Sequence, residues 1–211
     1  MDGQEHWDRI YERRAPDQVS WYRPHLEKSL SLIQQARLPA DAAIIDVGGG
    51  TSTLVDDLLD LGYRRLSVLD ISSNAIQRAR ERLGPRADAV TWFVEDVTRF
   101  ELPARAYDFW HDRAVFHFLR EEDARTRYIA SVRRALKPGG HVVVASFGPG
   151  GPDHCSGLEV VRYTASEIHD RFGRGFRRIS GFTEVHRTPD GTEQEFVYCY
   201  CRLEDRASTA P

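Results

Sequence analysis

Short apolar runs alternate along the chain with longer segments whose apolar residues recur every three or four positions, most regularly between about residues 43 and 147. The runs Ala43 to Val47, Leu66 to Leu69, Val90 to Val94, Tyr107 to Trp110 and His141 to Ser146 predict strands. Between them, Ser52 to Leu61, Ser73 to Leu83 and Glu121 to Leu136 carry the helical period. Lys137-Pro138-Gly139-Gly140 is expected to stop the last of these helices and turn the chain into the next strand. Strand and helix alternating in this way predict a doubly wound α/β fold around a parallel sheet.

The rhythm changes at both ends. After a helical pattern at Thr164 to Phe172, two β-rich runs, Phe176 to Thr188 and Glu195 to Leu203, flank the turn signal Pro189-Asp190-Gly191-Thr192. They predict an antiparallel hairpin where a plain nucleotide fold would continue with a helical crossover. Residues 1–40 read as helical and hold Trp7, Tyr11, Trp21 and Tyr22, with Pro24 suited to the first turn of a helix through Gln35. The expected organisation is one domain over residues 1–204, with a helical cap at 1–40, a ligand-binding core at 41–147, and a loop, helix and hairpin at 148–204. Residues 205–211 are expected to form a flexible tail.

Composition narrows the function classes. The 211 residues carry a net charge of −3 with no basic stripe, which argues against a nucleic-acid binder. No stretch has the roughly 18 consecutive apolar residues of a membrane span, and the polar start Met1 to His6 is unlike a signal peptide, so a cytoplasmic monomer or homodimer is expected. Cys155, Cys199 and Cys201 show no zinc-type spacing, so neither a disulfide framework nor a metal site is expected. Cys199 and Cys201, two apart in a strand-like run, should share one face as small core residues. Lys28 and Lys137 are the only lysines among 29 basic residues, a bias that suggests a GC-rich bacterial genome.

The strongest site signal is Ile44-Ile45-Asp46-Val47-Gly48-Gly49-Gly50-Thr51-Ser52, a strand entering a glycine-rich turn that opens a helix. Such a turn lets backbone N–H groups approach a ligand, although a glycine-rich turn can also serve only as a turn. Asp70 follows about 20 residues later at the end of the next strand, where a ribose hydroxyl pair would lie. Asp96 closes the third strand, in position to take an adenine amine while Val97 lines the ring. One acid at a strand end is ordinarily a cap. Three at successive strand ends mark the edge where open α/β sheets bind ligands. A nicotinamide dinucleotide would use the same edge, but its fingerprint asks for glycine where Thr53 stands, and Asp46 suits an amino group better than a pyrophosphate. Charge therefore favours S-adenosylmethionine, which carries an ammonium and a sulfonium and no phosphate.

Asp46 to Ser52, Asp70, Asp96 and the closing hairpin resemble the class I S-adenosylmethionine-dependent methyltransferases over about residues 40–203. The resemblance implies a seven-stranded sheet with its last strand antiparallel, holding methionine, ribose and adenine at the three strand ends. Ser52 stands where the family usually has a third glycine. The implied cofactor residues are Asp46, Gly48, Gly49, Gly50, Thr51, Ser52, Asp70, Ile71, Asp96, Val97 and His111.

The acceptor is less legible. Phe109 to Leu119 lacks the (Asn/Asp)-Pro-Pro-(Tyr/Phe) pattern of amide and nucleobase N-methyltransferases. Asp112-Arg113-Ala114 is similar to the Asp-Arg-Gly of thiopurine S-methyltransferases and to the Asp-Lys-Gly of elongation-factor lysine methyltransferases. His6 to Glu12 resembles the Trp-Asp-x-x-Tyr opening of both groups. Candidate catalytic residues are Asp112, Arg113 and His117, and the candidate acceptor wall comprises Tyr11, Trp21, Tyr22, Arg113, Phe116, His117, His154, Cys155 and Arg162. The N-terminal aromatics are expected to form a lid, and the loop Gly148 to Leu158 the opposite jaw. A basic, imidazole-bearing wall favours a small molecule with a soft nucleophile such as a thiol. A protein lysine is the alternative acceptor, and a cofactor-binding domain without catalysis the alternative of another class.

Overall fold

The computed structural model describes residues 3–204, so the expectation for the tail lies outside the described residues. In chain order the main elements are α1 (Gly3–Arg13), α2 (Glu27–Gln35), β1 (Ala43–Val47), α3 (Leu54–Asp60), β2 (Arg65–Asp70), α4 (Ser73–Leu83), β3 (Val90–Val94), β4 (Tyr107–Arg113), α5 (Glu122–Ala135) and β5 (Leu136–Phe147). A small ribbon, β6 (His154–Cys155) and β7 (Leu158–Glu159), precedes α6 (Ala165–Phe172), β8 (Phe176–Arg187) and β9 (Glu193–Leu203). Seven strands form one sheet in the order β3-β2-β1-β4-β5-β9-β8. The first five are parallel, and β9 enters antiparallel to both β5 and β8. The predicted hairpin thus forms the antiparallel edge of the seven-stranded sheet that the resemblance implies.

Strand alternation splits the core into two layers. Phe109, Ile44 and Val143 pack toward α2, α3 and α4, whereas Trp110, Ile45 and Val144 pack toward α5 and α6. Trp110, Tyr128 and Phe116 are fully buried, each contributing on the order of 2 kcal/mol through apolar area removed from water. Cys199 and Cys201 share the second layer, with sulfurs 3.5 Å apart. No helix among the described residues is long and apolar enough to cross a membrane.

Three local readings are corrected. Helix α2 starts at Glu27, not near Pro24, because residues 19–26 run as a strap and the Pro24 carbonyl accepts from Thr53 Oγ1 at 2.7 Å. Pro138-Gly139-Gly140 lies inside β5 as a bulge rather than a turn before it. Tyr107 pairs with Leu136 and Phe109 with His141, so the extra residues are absorbed where Gly139 adopts φ +75°. Strand β4 runs three residues past Trp110, which places Asp112 and Arg113 on the strand itself.

Helix α1 is tied to α4 through the Asp8 carboxylate and through Arg78, whose Nη1 donates to Arg14 O at 2.6 Å. Asp8 Oδ1 on α1 accepts from Ser72 Oγ at 2.6 Å and from Asn74 N at 3.0 Å at the start of α4, where a negative charge suits the free N–H groups. Helix α1 thereby lies across the C-terminal ends of β1 and β2.

Candidate active site

The glycine turn is sterically compelled. Gly48 and Gly50 adopt φ +66° and +52°, and a Cβ on Gly48 would lie 1.9 Å from Val115 Cγ2, one on Gly50 2.3 Å from the Tyr11 hydroxyl. The turn is closed by Ser52 N donating to Gly49 O at 2.8 Å and held to β2 by Gly48 N donating to Leu69 O at 2.7 Å. Asp70 is buried at the tip of β2 and accepts from Gly50 N and Ser72 N, both at 2.8 Å. Burial raises its pKa to about 6 against those two bonds. Each of its oxygens keeps acceptor capacity for a ribose hydroxyl.

Asp46 is buried beside it and meets His111 Nδ1 at 2.7 Å across the β1–β4 register. His111 Nε2 meets Ser29 Oγ of α2 at 2.8 Å. The carboxylate accepts from Nδ1 and the hydroxyl meets Nε2, so His111 orients Asp46 and Ser29 orients His111. Asp96 Oδ1 accepts from Thr98 N at 2.8 Å and Thr98 Oγ1 at 2.7 Å, while Arg99 Nε lies 3.6 Å from Oδ2.

Asp46, Asp70, Asp96 and His111 border a cleft of about 430 Å³ that is also lined by Gly48, Gly49, Thr51, Ser52, Ile71 and Val97, whereas Gly50, expected among the cofactor residues, does not line it. Its far side is aromatic. Trp7 packs edge-on against Trp21 at 5.9 Å and Phe118 at 5.0 Å, and Tyr11 lies 6.2 Å from Trp21. Tyr22, Arg113 and Cys155 complete this wall. Arg113 is buried, donates from Nη1 to Trp21 O at 3.0 Å and rests its guanidinium 4.3 Å over Phe196. Its Nε and Nη2 have no hydrogen-bond partner among the described residues. Burial pushes the Cys155 thiol up to about 11, so it is neutral.

Four expected wall residues, Phe116, His117, His154 and Arg162, and the catalytic candidate Asp112 stand elsewhere. Asp112 alternates to the opposite face of β4, where it accepts from Val115 N at 3.0 Å and Tyr128 OH at 2.5 Å, so it braces the turn after the strand. Burial raises its pKa to about 6. Phe116 packs between Tyr128 and Tyr163 in the second core layer. His117 is fully buried against Phe147 at 4.5 Å and accepts from Phe147 N at 3.3 Å; burial, aided by the Arg113 charge, pushes its pKa down to about 3. His154 is exposed and pairs with Asp153 at 3.0 Å. Arg162 turns outward to the carbonyls of Pro149 and Gly151. Sequence reasoning missed Ser29 and Phe118, whose helical and loop positions give no periodic signal, and Asp8, which lies inside the Trp-Asp-x-x-Tyr segment. Among the described residues no group of three or more His, Cys, Asp or Glu is placed to hold a metal ion.

Buried Asp46 and Asp70 and half-buried Asp96 at three strand ends, a glycine turn with no room for a Cβ and a largely aromatic far wall suit S-adenosylmethionine, whose ammonium and ribose hydroxyls would meet Asp46 and Asp70. Residues 44–140 match the family model of a methyltransferase domain. That segment carries the glycine turn, Asp70 and Asp96, so this part of the chain is similar to a methyltransferase domain, and the sheet order is that of the class I methyltransferase fold. The chain is 26% identical over 149 residues to the eEF1A lysine and N-terminal methyltransferase of Mus musculus, an alignment covering 68% of this chain. It spans only 21% of that relative's length. Among solved structures, one described for the conversion of a disulfide bond into a thioacetal group during echinomycin biosynthesis superposes with TM-score 0.77 at 20% identity, covering 98% of this chain and 95% of that one. The N-methyltransferase NodS from Bradyrhizobium japonicum WM9 with S-adenosyl-L-homocysteine gives 0.67 at 18% identity, covering 94% and 98%. These two likenesses show the fold.

Proposed function

We propose that the chain, acting as one unit over residues 1–204, methylates a small molecule through a soft nucleophile, with a thiol preferred. The observation that carries this reading is the charge of the acceptor wall. The carboxylates of the cleft, Asp46, Asp70, Glu95 and Asp96, belong to the ends of β1, β2 and β3. The acceptor side offers the cation Arg113, the neutral Cys155 and aromatic rings. Asp112 faces away, and Glu184 is engaged by Arg23 at 3.0 Å and Tyr198 at 3.0 Å. An incoming ammonium would meet an uncompensated guanidinium, whereas a thiolate is stabilised by it.

Bound in the cleft, S-adenosylmethionine supplies a methyl group on a cationic sulfur. Asp46 and Asp70 would hold its ammonium and ribose hydroxyls and Asp96 its adenine, while Trp7, Tyr11 and Trp21 would exclude water from the line between methyl and acceptor. Arg113 would lower the pKa of an entering thiol, whose proton leaves to solvent; the thiolate sulfur would then form its bond to the methyl carbon as the carbon–sulfonium bond breaks, leaving the cofactor as a neutral thioether. The aromatic lid and the glycine loop are the positioning elements for an in-line displacement. The cleft extends from the cofactor acids to Cys155 and Leu158, and that room for an acceptor speaks for catalysis over a silent binding domain. The second reading, a protein lysine acceptor, is favoured by the name of the Mus musculus relative. Labelled methyl incubated with small thiols, phenols, amines and cell lysate separates the two. Label is expected in the thiols first; label only on a protein band, with no competition by thiols, supports the lysine reading instead.

A further inference from the structure

We propose that Arg82, on α4 outside the cleft, is a positioning residue for the cofactor's methionyl end. Its Nη1 donates to Thr51 O at 2.8 Å and its Nη2 to Ser52 O at 2.7 Å, the two carbonyls where the glycine turn passes into α3. The guanidinium is in turn gripped by Asp56 of α3, with Nε 3.3 Å and Nη2 2.7 Å from the two carboxylate oxygens. A planar fork held on one edge by a carboxylate presents its remaining N–H groups in a fixed direction, which a lysine cannot reproduce. Each carbonyl shares a rigid peptide plane with the following N–H. Fixing Thr51 O therefore fixes the Ser52 N–H, the group that closes the turn onto Gly49 O at 2.8 Å. The same turn presents Gly50 N to Asp70 at 2.8 Å. Thr51 is buried and Ser52 lines the cleft, so disorder at this joint reaches the ligand directly.

Within this geometry Arg82 acts only through the backbone it holds, and its loss affects the ligand portion lying against the turn. Calorimetry on the full chain tests this with two probes, S-adenosylhomocysteine and 5′-methylthioadenosine, which lacks the amino-acid end. Arg82→Gln is expected to weaken S-adenosylhomocysteine tenfold or more while 5′-methylthioadenosine changes less than threefold. Arg82→Lys, which keeps the charge but not the fork, should fall between wild type and Arg82→Gln. Asp56→Asn, which frees the fork without removing it, should move the same way and serves if Arg82→Gln does not fold. In turnover, the KM for S-adenosylmethionine should rise tenfold or more while kcat falls less than threefold. S-adenosylhomocysteine affinity within twofold of wild type, or equal loss for both probes with a lowered apo melting temperature, overturns the proposal. Binding is read without any acceptor, so the result is independent of the acceptor class proposed above.

Discussion

Asp70→Ala is expected to weaken S-adenosylhomocysteine binding by about 1–3 kcal/mol, roughly five- to 150-fold in Kd, because it removes the acceptor for the ribose hydroxyls and leaves Gly50 N and Ser72 N unpaired. The same carboxyl sets a pH dependence. Burial holds its pKa near 6 in the free protein, and the ligand requires the ionised form. Below about pH 6 a proton must leave before binding, so affinity should fall up to about tenfold per pH unit on acidification, and should be nearly flat just above it. Folding stability runs the other way. A carboxyl whose pKa is raised by folding binds its proton more tightly in the folded state, so Asp70 costs stability above about pH 6 and the cost is relieved as pH falls from there toward the unfolded value of 3.8. Calorimetry at pH 5, 6 and 7.5 on wild type and Asp70→Asn checks both statements. An affinity equally flat in both proteins assigns the ribose to another residue.

Arg113→Gln should slow turnover of a thiol about tenfold at neutral pH while S-adenosylhomocysteine affinity stays within about tenfold. The guanidinium acts on the acceptor's charge, and one pKa unit of thiol depression is worth about 1.4 kcal/mol. Arg113→Lys keeps the cation but loses the planar contact over Phe196 and should restore part of the rate. Steady-state rates with saturating cofactor read the first effect, and calorimetry the second. A loss of cofactor affinity beyond a hundredfold, with thiol rates at saturation unchanged, would place Arg113 on the methionine carboxylate.

What was legible in the sequence follows from periodicity. The strands, the hairpin and the three acids at strand ends could be placed because buried strands and turn residues leave local signals in the chain. The acceptor wall could not be placed as well, since its members depend on where β4 ends. Ending the strand at Trp110 put Asp112, Arg113 and His117 together in a loop. With β4 continuing to Arg113, the two-residue alternation turns Asp112 to Tyr128 while His111 and Arg113 share the opposite face. That alternation was present in the sequence once the strand was long enough. Ser29 and Arg82 were illegible for another reason: each is a polar residue on a helix whose partners, His111 or the Thr51 and Ser52 carbonyls, are some 30 to 80 positions away. Pro24 and Pro138 misled because proline marks helix starts and stops in isolation, whereas here one sits in a strap and the other in a bulge.

The central claim, that the cleft serves a soft nucleophile and not an ammonium, is tested most directly by two acceptors alike except at the reacting atom. Initial rates of labelled methyl transfer to 2-phenylethanethiol and 2-phenylethylamine, measured from pH 6.5 to 9 at saturating cofactor, give the comparison. The thiol is expected to be methylated faster at every pH, its rate climbing as the thiolate forms and the climb beginning at lower pH in wild type than in Arg113→Gln. Faster methylation of the amine, or a thiol rate independent of pH and of Arg113, would contradict that claim.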